Sequence, residues 1–383
     1  MNNKNNWPIK RLGEVADVYG GGTPPTSHAE YFQGDTNWFT PSELPADNVG
    51  TISESSRKIS DVAHAFTTIS GAGTVLLGSR ASIGSVAILS TASGYNQGIK
   101  GIEPKKEEID NWFLGYWLRA NTEELLRKSF GTTFKEISTT AVKDLSIAVP
   151  PIQIQKQIVD KLNAVRKAQE LIDLQIQKTE ELFESLLSEI FNSYQEQLTP
   201  LGEICTFLGG GTPSKKNASY YNGLIPWITI KDMRENEIYD SIDHVTADAI
   251  KESAANLVSE NTLLVATRVG LGKIAITRVS ACFNQDIKAL IPKTEIIPEY
   301  LLFSMIHVSP QIVSQGVGGT VKGVNLGMLK KLQIPFLSIP KQKEIVAKLN
   351  AIKEYKKLLL KQKQLYKELF DSVLYKSMNG ELN

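Results

Sequence analysis

The chain has 383 residues, of which 42% are hydrophobic and 22% charged, and its formal net charge is +1 at pH 7. This length allows two or more domains with cores of their own, and the composition is typical of a soluble globular protein. No apolar run approaches the roughly 20 residues of a membrane span, and the N-terminus lacks the apolar segment of a signal peptide. Because Cys205 and Cys282 lie far apart without metal-binding spacing, we expect reduced, buried thiols in a cytoplasmic protein.

The sequence repeats itself once. Residues 12–24 (LGEVADVYGGGTP) match residues 201–213 (LGEICTFLGGGTP), and residues 158–165 (IVDKLNAV) match residues 345–352 (IVAKLNAI). Further matches lie between these, and the offset drifts only from 189 to 187. The sequence therefore predicts a tandem duplication in which a globular domain followed by a long helix occurs twice.

Each globular domain is predicted to mix short strands and helices. Apolar runs with alternating character predict strands, and helical apolar faces predict helices. Ser60 and Thr246 are predicted to cap short helices. The predicted strands are Thr74–Leu77, Val86–Leu89, Leu263–Ala266 and Ile274–Thr277, and the predicted helices are Asn111–Ala120 and Pro298–His307.

Heptad stripes follow both globular domains, at residues 153–192 and 340–378. Residues alternately four and three positions apart form the stripes, which predicts long helices that pair by knobs-into-holes packing. The predicted interface residues of the first helix are Ile158, Leu162, Val165, Ile172, Ile176, Phe183 and Leu186. Those of the second helix are Ile345, Leu349, Ile352, Leu359, Tyr366, Phe370 and Val373.

The lengths of these elements predict that the two helices run antiparallel. A helix of about 40 residues is about 60 Å long, whereas a domain of about 140 residues has a radius of gyration of only about 14 Å. The second globular domain starts where the first helix ends and finishes where the second helix begins, so it is too small to connect parallel helices. A pseudo-two-fold axis is expected near Leu174 and Lys361. The pairs predicted to face each other are Gln169 with Tyr366 and Thr179 with Lys356.

The predicted fold class is α+β, with two mixed globular domains joined by two long antiparallel coiled-coil helices and related by an internal pseudo-two-fold repeat. The predicted boundaries are 1–150 and 199–338 for the globular domains, and 151–198 and 339–383 for the helices. Residues 340–378 carry ten lysines against four acids, whereas residues 153–192 carry five basic residues against seven acids. This asymmetry favours helices with complementary flanks; a solvated basic face or a share in holding phosphates are the alternatives.

Two related domains held apart with two-fold symmetry suit a target with two half-sites of opposite polarity, as duplex DNA has. Because one chain supplies both domains, the two half-sites can differ. The alternative from another class is a coiled-coil scaffold with two protein-binding domains that does not contact DNA.

The chain resembles the specificity subunits of type I restriction–modification systems along its whole length. The residues that carry the resemblance are the twofold repeat, the LGE…GGTP opening of each domain, and the helix starts PPIQIQKQIVDKLNAV and SIPKQKEIVAKLNAI. It implies two target-recognition domains that each bind one half of a bipartite site in the major groove of double-stranded DNA. Gln153-Ile154 and Pro340-Lys341 depart from the acidic pair expected before the Gln-Lys of each helix start, which concerns the local cap.

The resemblance also implies the partners of the chain. Two methylation subunits would dock on the helices, and motor–endonuclease subunits would join them. S-adenosylmethionine, ATP and Mg²⁺ would bind those partners, and no cofactor would bind this chain. A recognition subunit of a related defence system with a different effector is the third alternative.

Comparison of the two copies sorts the candidate DNA-binding residues. Features shared by both copies cannot distinguish two half-sites, so they are predicted to be scaffold or common phosphate contacts. They include GGGTP, Trp38/Trp227 and the Asn-Gln pairs at 96–97 and 284–285. Paired cations are better suited to phosphates than to bases, although ordinary surface ion pairs are the alternative. These pairs are Arg80/Arg268, Lys100/Lys288 and Lys135/Lys322.

The diverged stretches 45–73 and 234–261 are the better candidates for base contacts. Arg57 and Lys58 lie in the first stretch, and Arg234 lies in the second. Lys215 and Lys216 have no counterpart in the first copy, so they are either specific to the second half-site or merely solvated.

Catalytic motifs are not recognisable in the sequence. It has no phosphate-binding P-loop, no adenine-methyltransferase motif and no metal-ligand spacing among its four histidines. We therefore expect a non-catalytic protein. Because residues 1–150 carry 14 basic against 16 acidic residues, we expect the isolated chain to bind DNA weakly until partners supply further phosphate contacts.

Overall fold

A computed structural model describes residues 6–131, 135–317 and 323–381. The chain divides into two compact units. Unit 1 comprises residues 1–173 and 361–383, and unit 2 comprises residues 174–360. Each unit therefore contains one globular domain together with parts of both long helices.

In unit 1 the described strands form two main sheets and a two-stranded pair. The strands are β1 Ile9–Arg11, β2 Ala16–Gly20, β3 Thr36–Phe39, β4 Val49–Ile52, β5 Lys58–Ile59, β6 Ile69–Ser70, β7 Val75–Gly78, β8 Val86–Leu89, β9 Ser93–Tyr95, β10 Ile99–Pro104 and β11 Ser146–Ala148. The five-stranded sheet has the order β2-β10-β7-β8-β4, the four-stranded sheet has the order β5-β3-β9-β6, and β1 pairs with β11. Both main sheets are mixed, because β4 runs parallel to β8 and β3 runs parallel to β9.

Helices cover one face of the five-stranded sheet in unit 1. They are α1 Leu12–Val15, α2 Asn111–Ala120, α3 Thr122–Lys128 and α4 Thr139–Lys143, with 3-10 turns at Ala29–Phe32, Pro41–Glu43 and Asp61–Phe66. Helix α2 contributes the largest buried side chains, because Phe113, Tyr116 and Trp117 are at most 1% exposed. It is followed along the chain by the long helix α5, Ile152–Asn192.

Unit 2 repeats this arrangement. Its strands are β12 Leu198–Pro200, β13 Cys205–Gly209, β14 Ile225–Ile228, β15 Glu237–Ile238, β16 Asp243–Val245, β17 Leu257–Val258, β18 Thr262–Ala266, β19 Ile274–Thr277, β20 Ala281–Phe283, β21 Ile287–Pro292 and β22 Gln333–Pro335. The sheets have the orders β13-β21-β18-β19-β15, β16-β14-β20-β17 and β12-β22. Its helices are α6 Leu201–Ile204, α7 Ala247–Lys251, α8 Pro298–Ser314 and α9 Leu326–Lys331, with 3-10 turns at Gln195–Gln197 and Ala218–Tyr221, and the second long helix is α10, Ile339–Met378. The repeat predicted from the sequence is therefore confirmed at the level of sheet topology.

Helices α5 and α10 pair in opposite directions within each unit. In unit 1 the Gln169 side-chain amide donates to the Tyr366 carbonyl oxygen at 3.1 Å, and Lys363 Nζ lies 2.5 Å from Asp173 Oδ1. In unit 2 Lys356 Nζ lies 2.7 Å from a carboxylate oxygen of Glu180. The predicted antiparallel direction is therefore confirmed. Lys356 therefore pairs with Glu180, the residue after Thr179. The Thr179 hydroxyl donates to the Gln175 carbonyl oxygen of its own helix.

The residues of the predicted heptad stripe are withdrawn from solvent. The most buried members, at most 7% exposed, are Ile158, Leu162, Ile172, Ile345, Leu349, Leu359 and Phe370. The half-buried members are Val165, Ile176, Phe183, Leu186, Ile352, Tyr366 and Val373. Despite the length of α5 and α10, no helix in the described part of the chain is both long and apolar enough to cross a bilayer.

A buried glutamine joins each long helix to its globular domain. Gln155 is fully buried; its Oε1 accepts from the Asp110 amide at 2.8 Å, and its Nε2 donates to the Glu108 and Pro150 carbonyl oxygens at 3.0 and 2.8 Å. Asp110 in turn caps α2 by accepting from the amides of residues 112 and 113. Gln342 makes the equivalent hydrogen bonds in unit 2. It accepts from the Ile297 amide at 2.9 Å and donates to the Leu337 carbonyl oxygen at 2.8 Å. These glutamines belong to the Gln-Lys pairs near the start of each long helix.

The structure corrects the predicted bounds of two strands and one helix of the globular domains. Strand β7 spans Val75–Gly78 rather than Thr74–Leu77, and β18 begins at Thr262 rather than Leu263. Helix α2 begins and ends where predicted, whereas α8 continues to Ser314 rather than ending at His307. It does so with Pro310 inside it, because Val308 and Ile312 continue the buried face at 2% and 1% exposure. Burial of these side chains outweighs the one backbone hydrogen bond that proline cannot donate. The predicted cap Thr246 accepts from the Ala249 amide.

Both cysteines are free and buried, as expected from the sequence. Burial raises the pKa of the Cys205 thiol to about 12 and that of the Cys282 thiol to about 11. Both side chains are therefore neutral core residues at physiological pH.

Candidate nucleic-acid interface

The GGGTP motif and the Asn-Gln pair form one loop structure in each unit. In unit 1 the Thr23 hydroxyl donates to the Gln97 side-chain oxygen, and Asn96 Oδ1 accepts from the Gly98 amide at 2.9 Å. Glycine is required at position 21, because a Cβ there would lie 2.1 Å from the Asn96 carbonyl oxygen. Unit 2 repeats these contacts with Gly210, Thr212, Asn284, Gln285 and Asp286. The shared motif therefore builds the scaffold of each domain.

The repeated tryptophans are core residues with one polar contact each. Trp38 is 2% exposed, and its indole N–H donates to the Gly22 carbonyl oxygen at 3.0 Å. Trp227 is 5% exposed and donates to Gly211 over the same distance. An aromatic ring packs edge-on against each indole, Phe32 in unit 1 and Tyr221 in unit 2.

The paired cations of unit 1 meet at one end of the five-stranded sheet. Lys100 lies at the start of β10, is 7% exposed, and places its Nζ 3.7 Å from a carboxylate oxygen of Glu136. Arg80 follows β7 and forms a backbone bridge with Glu136, and Lys135 is exposed beside it. The structure therefore brings the backbones of Arg80 and Lys135 close to Glu136, whose carboxylate pairs with Lys100. Burial and ion pairing leave Lys100 the least accessible of them to a phosphate.

The paired cations of unit 2 occupy the matching sheet end. Arg268 is 60% exposed and lies 3.7 Å from Asp286 Oδ1. Lys288 is half-buried on β21, opposite Val265 and Gly209. Lys322 lies outside the described residues. The exposed guanidinium of Arg268 is therefore the more accessible cation at this sheet end.

The unpaired candidates lie at several separate places. Arg57 is exposed, and its guanidinium carbon lies 4.1 Å above the Phe32 ring centroid. Lys58 forms an ion pair of 3.4 Å with Glu54. In unit 2 Arg234 is exposed and its Nε donates to the Lys231 carbonyl oxygen, whereas Lys215 and Lys216 are exposed in the loop after β13.

Strand pairing identifies a residue that the sequence comparison missed. In unit 1 Ile59 on β5 lies opposite Thr36, and in unit 2 Val245 on β16 lies opposite Ile225. Thr36 and Ile225 occupy the same place in the repeat, so Ile59 corresponds to Val245 with an offset of 186. The counterpart of Arg57 is therefore Asp243. In support, the Lys58–Glu54 ion pair has its counterpart in the pair of His244 with Asp240, at 2.8 Å.

A local change in offset hid this correspondence. The preceding match has an offset of 189 and the following one 188, whereas the strand positions are 186 apart, so the second copy is three residues shorter between the tryptophan and this strand. The aromatic part of the site is visible in the sequence as the pair before each tryptophan, Tyr31-Phe32 and Tyr220-Tyr221, although this pair does not align Arg57 with Asp243. Its spacing to the tryptophan is the same in both copies.

The described residues contain no group of His, Cys, Asp and Glu side chains that could hold a metal ion. The candidate sites are exposed cations, carboxylates and aromatic rings on sheet edges and loops. Such groups bind a polyanion or base edges by hydrogen bonding and stacking.

Comparisons with known proteins agree with this arrangement. The sequence model of a family described as the type I restriction modification DNA specificity domain matches residues 4–181 and again residues 197–369. The type I restriction enzyme MjaIX specificity subunit of Methanocaldococcus jannaschii is 26% identical over 418 residues, which cover 98% of this chain and 93% of that protein. The EcoR124I/EcoR124II specificity subunit of Escherichia coli is 29% identical over 251 residues, or 61% of each chain.

Solved structures share the fold. A chain from a structural study of complex assembly and conformational transition of the type I R-M system has a TM-score of 0.72 at 19% identity, with 98% of each chain covered. The HsdS subunit from Thermoanaerobacter tengcongensis has a TM-score of 0.57 at 20% identity and covers 98% of this chain and 97% of its own. Since the family model matches twice, in the order of the internal repeat, and spans most of the chain, this protein belongs to the family of type I restriction–modification DNA specificity subunits.

Proposed function

We propose that the two globular domains of this specificity subunit each recognise one half of a bipartite, asymmetric DNA site. The observation that carries the proposal is the structural repeat itself. The loops, tryptophans and sheet topology of the two units are the same, whereas exposed positions such as Arg57 and Asp243 carry opposite charge. Two different half-sites require domains that share a scaffold but present different exposed side chains to the DNA.

The paired sheet-end cations suit contacts that are common to both half-sites. Phosphates are the same at every sequence, so residues that bind them can be equivalent in the two domains. Arg80 and Arg268 fit this role because both follow the same strand of the repeat and both are exposed. We assign these two arginines to the DNA backbone, where they would set orientation rather than sequence preference.

The long helices are the proposed docking surface for two methylation subunits. In unit 1 the exposed apolar side chains of the helices include Leu171, Leu365 and Tyr375, at 53–63% exposure. In unit 2 they include Leu182, Tyr355 and Leu358, at 50–64% exposure. Apolar side chains exposed on paired helices are typical of a surface that another protein covers. The occurrence of such residues in both units fits one methylation subunit for each.

The chain is a specificity subunit and not an enzyme. Methylation and restriction chemistry would belong to its partners, with S-adenosylmethionine on the methylation subunits and ATP and Mg²⁺ on the motor–endonuclease subunits. The role of this chain would be to select the DNA sites at which adenines are methylated, or from which unmodified DNA is restricted.

Mapping of modified adenines tests the proposal. The chain would be co-expressed with its methylation subunit, and genomic DNA would be sequenced for methyladenine. We expect methylation at a bipartite motif with two defined halves. Deletion of residues 199–337 should abolish that motif because one recognition domain is lost. An unchanged motif in the deletion strain, or wild-type methylation without any bipartite motif, would contradict the proposal.

A further inference from the structure

One exposed position differs in charge between two otherwise equivalent sites. In unit 1 this position is Arg57, which directly precedes β5, and in unit 2 it is Asp243, the first residue of β16. Both residues lie beside the repeated tryptophan. In unit 1 the Trp38 amide donates to the Arg57 carbonyl oxygen at 3.1 Å. In unit 2 Trp227 pairs with Asp243 in the strand register. The backbone therefore holds Arg57 and Asp243 at the same place relative to the same indole.

The Arg57 guanidinium is positioned without using its hydrogen-bond donors. Its central carbon lies 4.1 Å from the Phe32 ring centroid and 5.6 Å from that of Trp38. A cation–π contact orients the group through the ring quadrupole and consumes no N–H donor. No carboxylate of the described residues forms an ion pair with Arg57, so its donor fork is available to an outside acceptor.

Asp243 occupies the corresponding site beside a tyrosine. Tyr221 packs edge-on against Trp227 with ring centroids 5.8 Å apart, as Phe32 packs against Trp38 at 5.9 Å. Burial and, second, the negative charge of Asp243 raise the pKa of the Tyr221 hydroxyl. The Tyr221 hydroxyl is already engaged, since it donates to the Pro213 carbonyl oxygen at 2.8 Å. The exposed Asp243 carboxylate is thus the acceptor that this site presents.

We infer that Arg57 and Asp243 are specificity-determining residues at one equivalent position of the two recognition domains, with Arg57 selecting a guanine and Asp243 a cytosine. An arginine fork matches the O6 and N7 acceptors of guanine in the major groove, and an aspartate accepts from the N4 amino group of cytosine. This inference rests on the proposed function of the chain, because it presumes that each domain contacts one half-site.

The exchange of charge argues for a base contact rather than a phosphate contact. A phosphate contact is needed equally in both half-sites, and a carboxylate cannot supply it. The sheet-end arginines Arg80 and Arg268, by contrast, keep the same residue type in both units. A position that changes from cation to anion beside the same tryptophan and an equivalent aromatic ring is therefore expected to distinguish bases.

Methylation assays on a set of DNA duplexes test the inference. The complex of the full chain with its methylation subunits would be assayed on the methylated motif and on duplexes with one base pair replaced at a time. The variants are Arg57→Ala, Arg57→Lys and Asp243→Ala. Arg127→Ala is the matched control, because Arg127 is an exposed arginine of the same unit on helix α3.

We expect Arg57→Ala to lose preference for guanine at one position of one half-site, by roughly 5- to 140-fold, the range for one bidentate contact. Arg57→Lys keeps a cation but lacks the planar donor fork, so it should lose a smaller part of the preference at the same position. All other positions should keep their preferences. Asp243→Ala should relax a cytosine in the other half-site only, and Arg127→Ala should change no preference. Arg57→Lys keeps the charge and the cation–π contact, so it decides the result if Arg57→Ala fails to fold.

Two results would overturn the inference while leaving the proposed function intact. One is a wild-type bipartite motif that none of the variants changes. The other is a uniform loss of methylation on all duplexes, which would assign Arg57 to a phosphate. A wild-type complex that shows no bipartite motif would overturn the proposed function, and this inference with it.

Discussion

Replacement of Gln155 by alanine is expected to lower the free energy of unfolding of unit 1 by at least about 3 kcal/mol. The change removes three hydrogen bonds in a fully buried site and leaves the Asp110 amide and two carbonyl groups without partners. Each buried polar group left unpaired costs about 1–3 kcal/mol. Urea unfolding followed by tryptophan fluorescence measures the effect, since the tryptophans of unit 1 are Trp7, Trp38, Trp112 and Trp117 and unit 2 contains Trp227.

Gln153→Ala is the matched control for this variant. Gln153 lies on the same first turn of α5 but is exposed. Its replacement should change stability by no more than about 0.5 kcal/mol, as for most surface substitutions. Equal stability of the two variants would show that the buried glutamine does not join the helix to the domain.

Replacement of Phe370 by alanine is expected to destabilise unit 1 by about 3–5 kcal/mol, the usual cost of truncating a buried phenylalanine. Phe370 lies near the end of the chain on α10, yet it is 7% exposed and packs edge-on against Tyr116 at 6.0 Å. It belongs to the same apolar core as Ile158 and Leu162 of α5. The same fluorescence measurement reports the loss, because Tyr116 lies on helix α2 beside Trp112 and Trp117.

The neighbouring Leu369 supplies the control for Phe370. It is 46% exposed, so Leu369→Ala should have a much smaller effect. If Phe370→Ala left the unfolding of unit 1 unchanged, the C-terminal half of α10 could not pack on the first globular domain, and the antiparallel pairing would be wrong.

Periodicity allowed much of this fold to be predicted. The heptad stripes gave the long helices almost to the residue, and their length against the size of the intervening domain gave the antiparallel direction. Strands Val86–Leu89 and Ile274–Thr277 were predicted at their observed bounds because each is a short apolar run between turn residues. These features depend on local pattern and on chain length, both of which are present in the sequence.

Features that depend on long-range pairing could not be predicted in the same way. The correspondence of Arg57 with Asp243 becomes visible only when strand partners are known, because a three-residue change in offset falls in the diverged stretch. The role of Gln155 depends on carbonyl groups that precede it by five and 47 positions. The end of α8 was missed because a proline is ordinarily a helix terminator, and burial of Val308 and Ile312 overrides that preference.

The division of recognition between two domains is tested most directly by a chain in which both domains are the same. Residues 199–337 would be replaced by a second copy of residues 10–150, so that the first junction falls in the equivalent strands β1 and β12 and the second lies just after the equivalent strands β11 and β22. The chimera would be co-expressed with the methylation subunit, and methylated adenines would be mapped by sequencing. The expected result is a bipartite motif whose two halves both carry the bases assigned to the first domain. A motif identical to that of the wild type, or one in which the bases of the first half are lost, would contradict it.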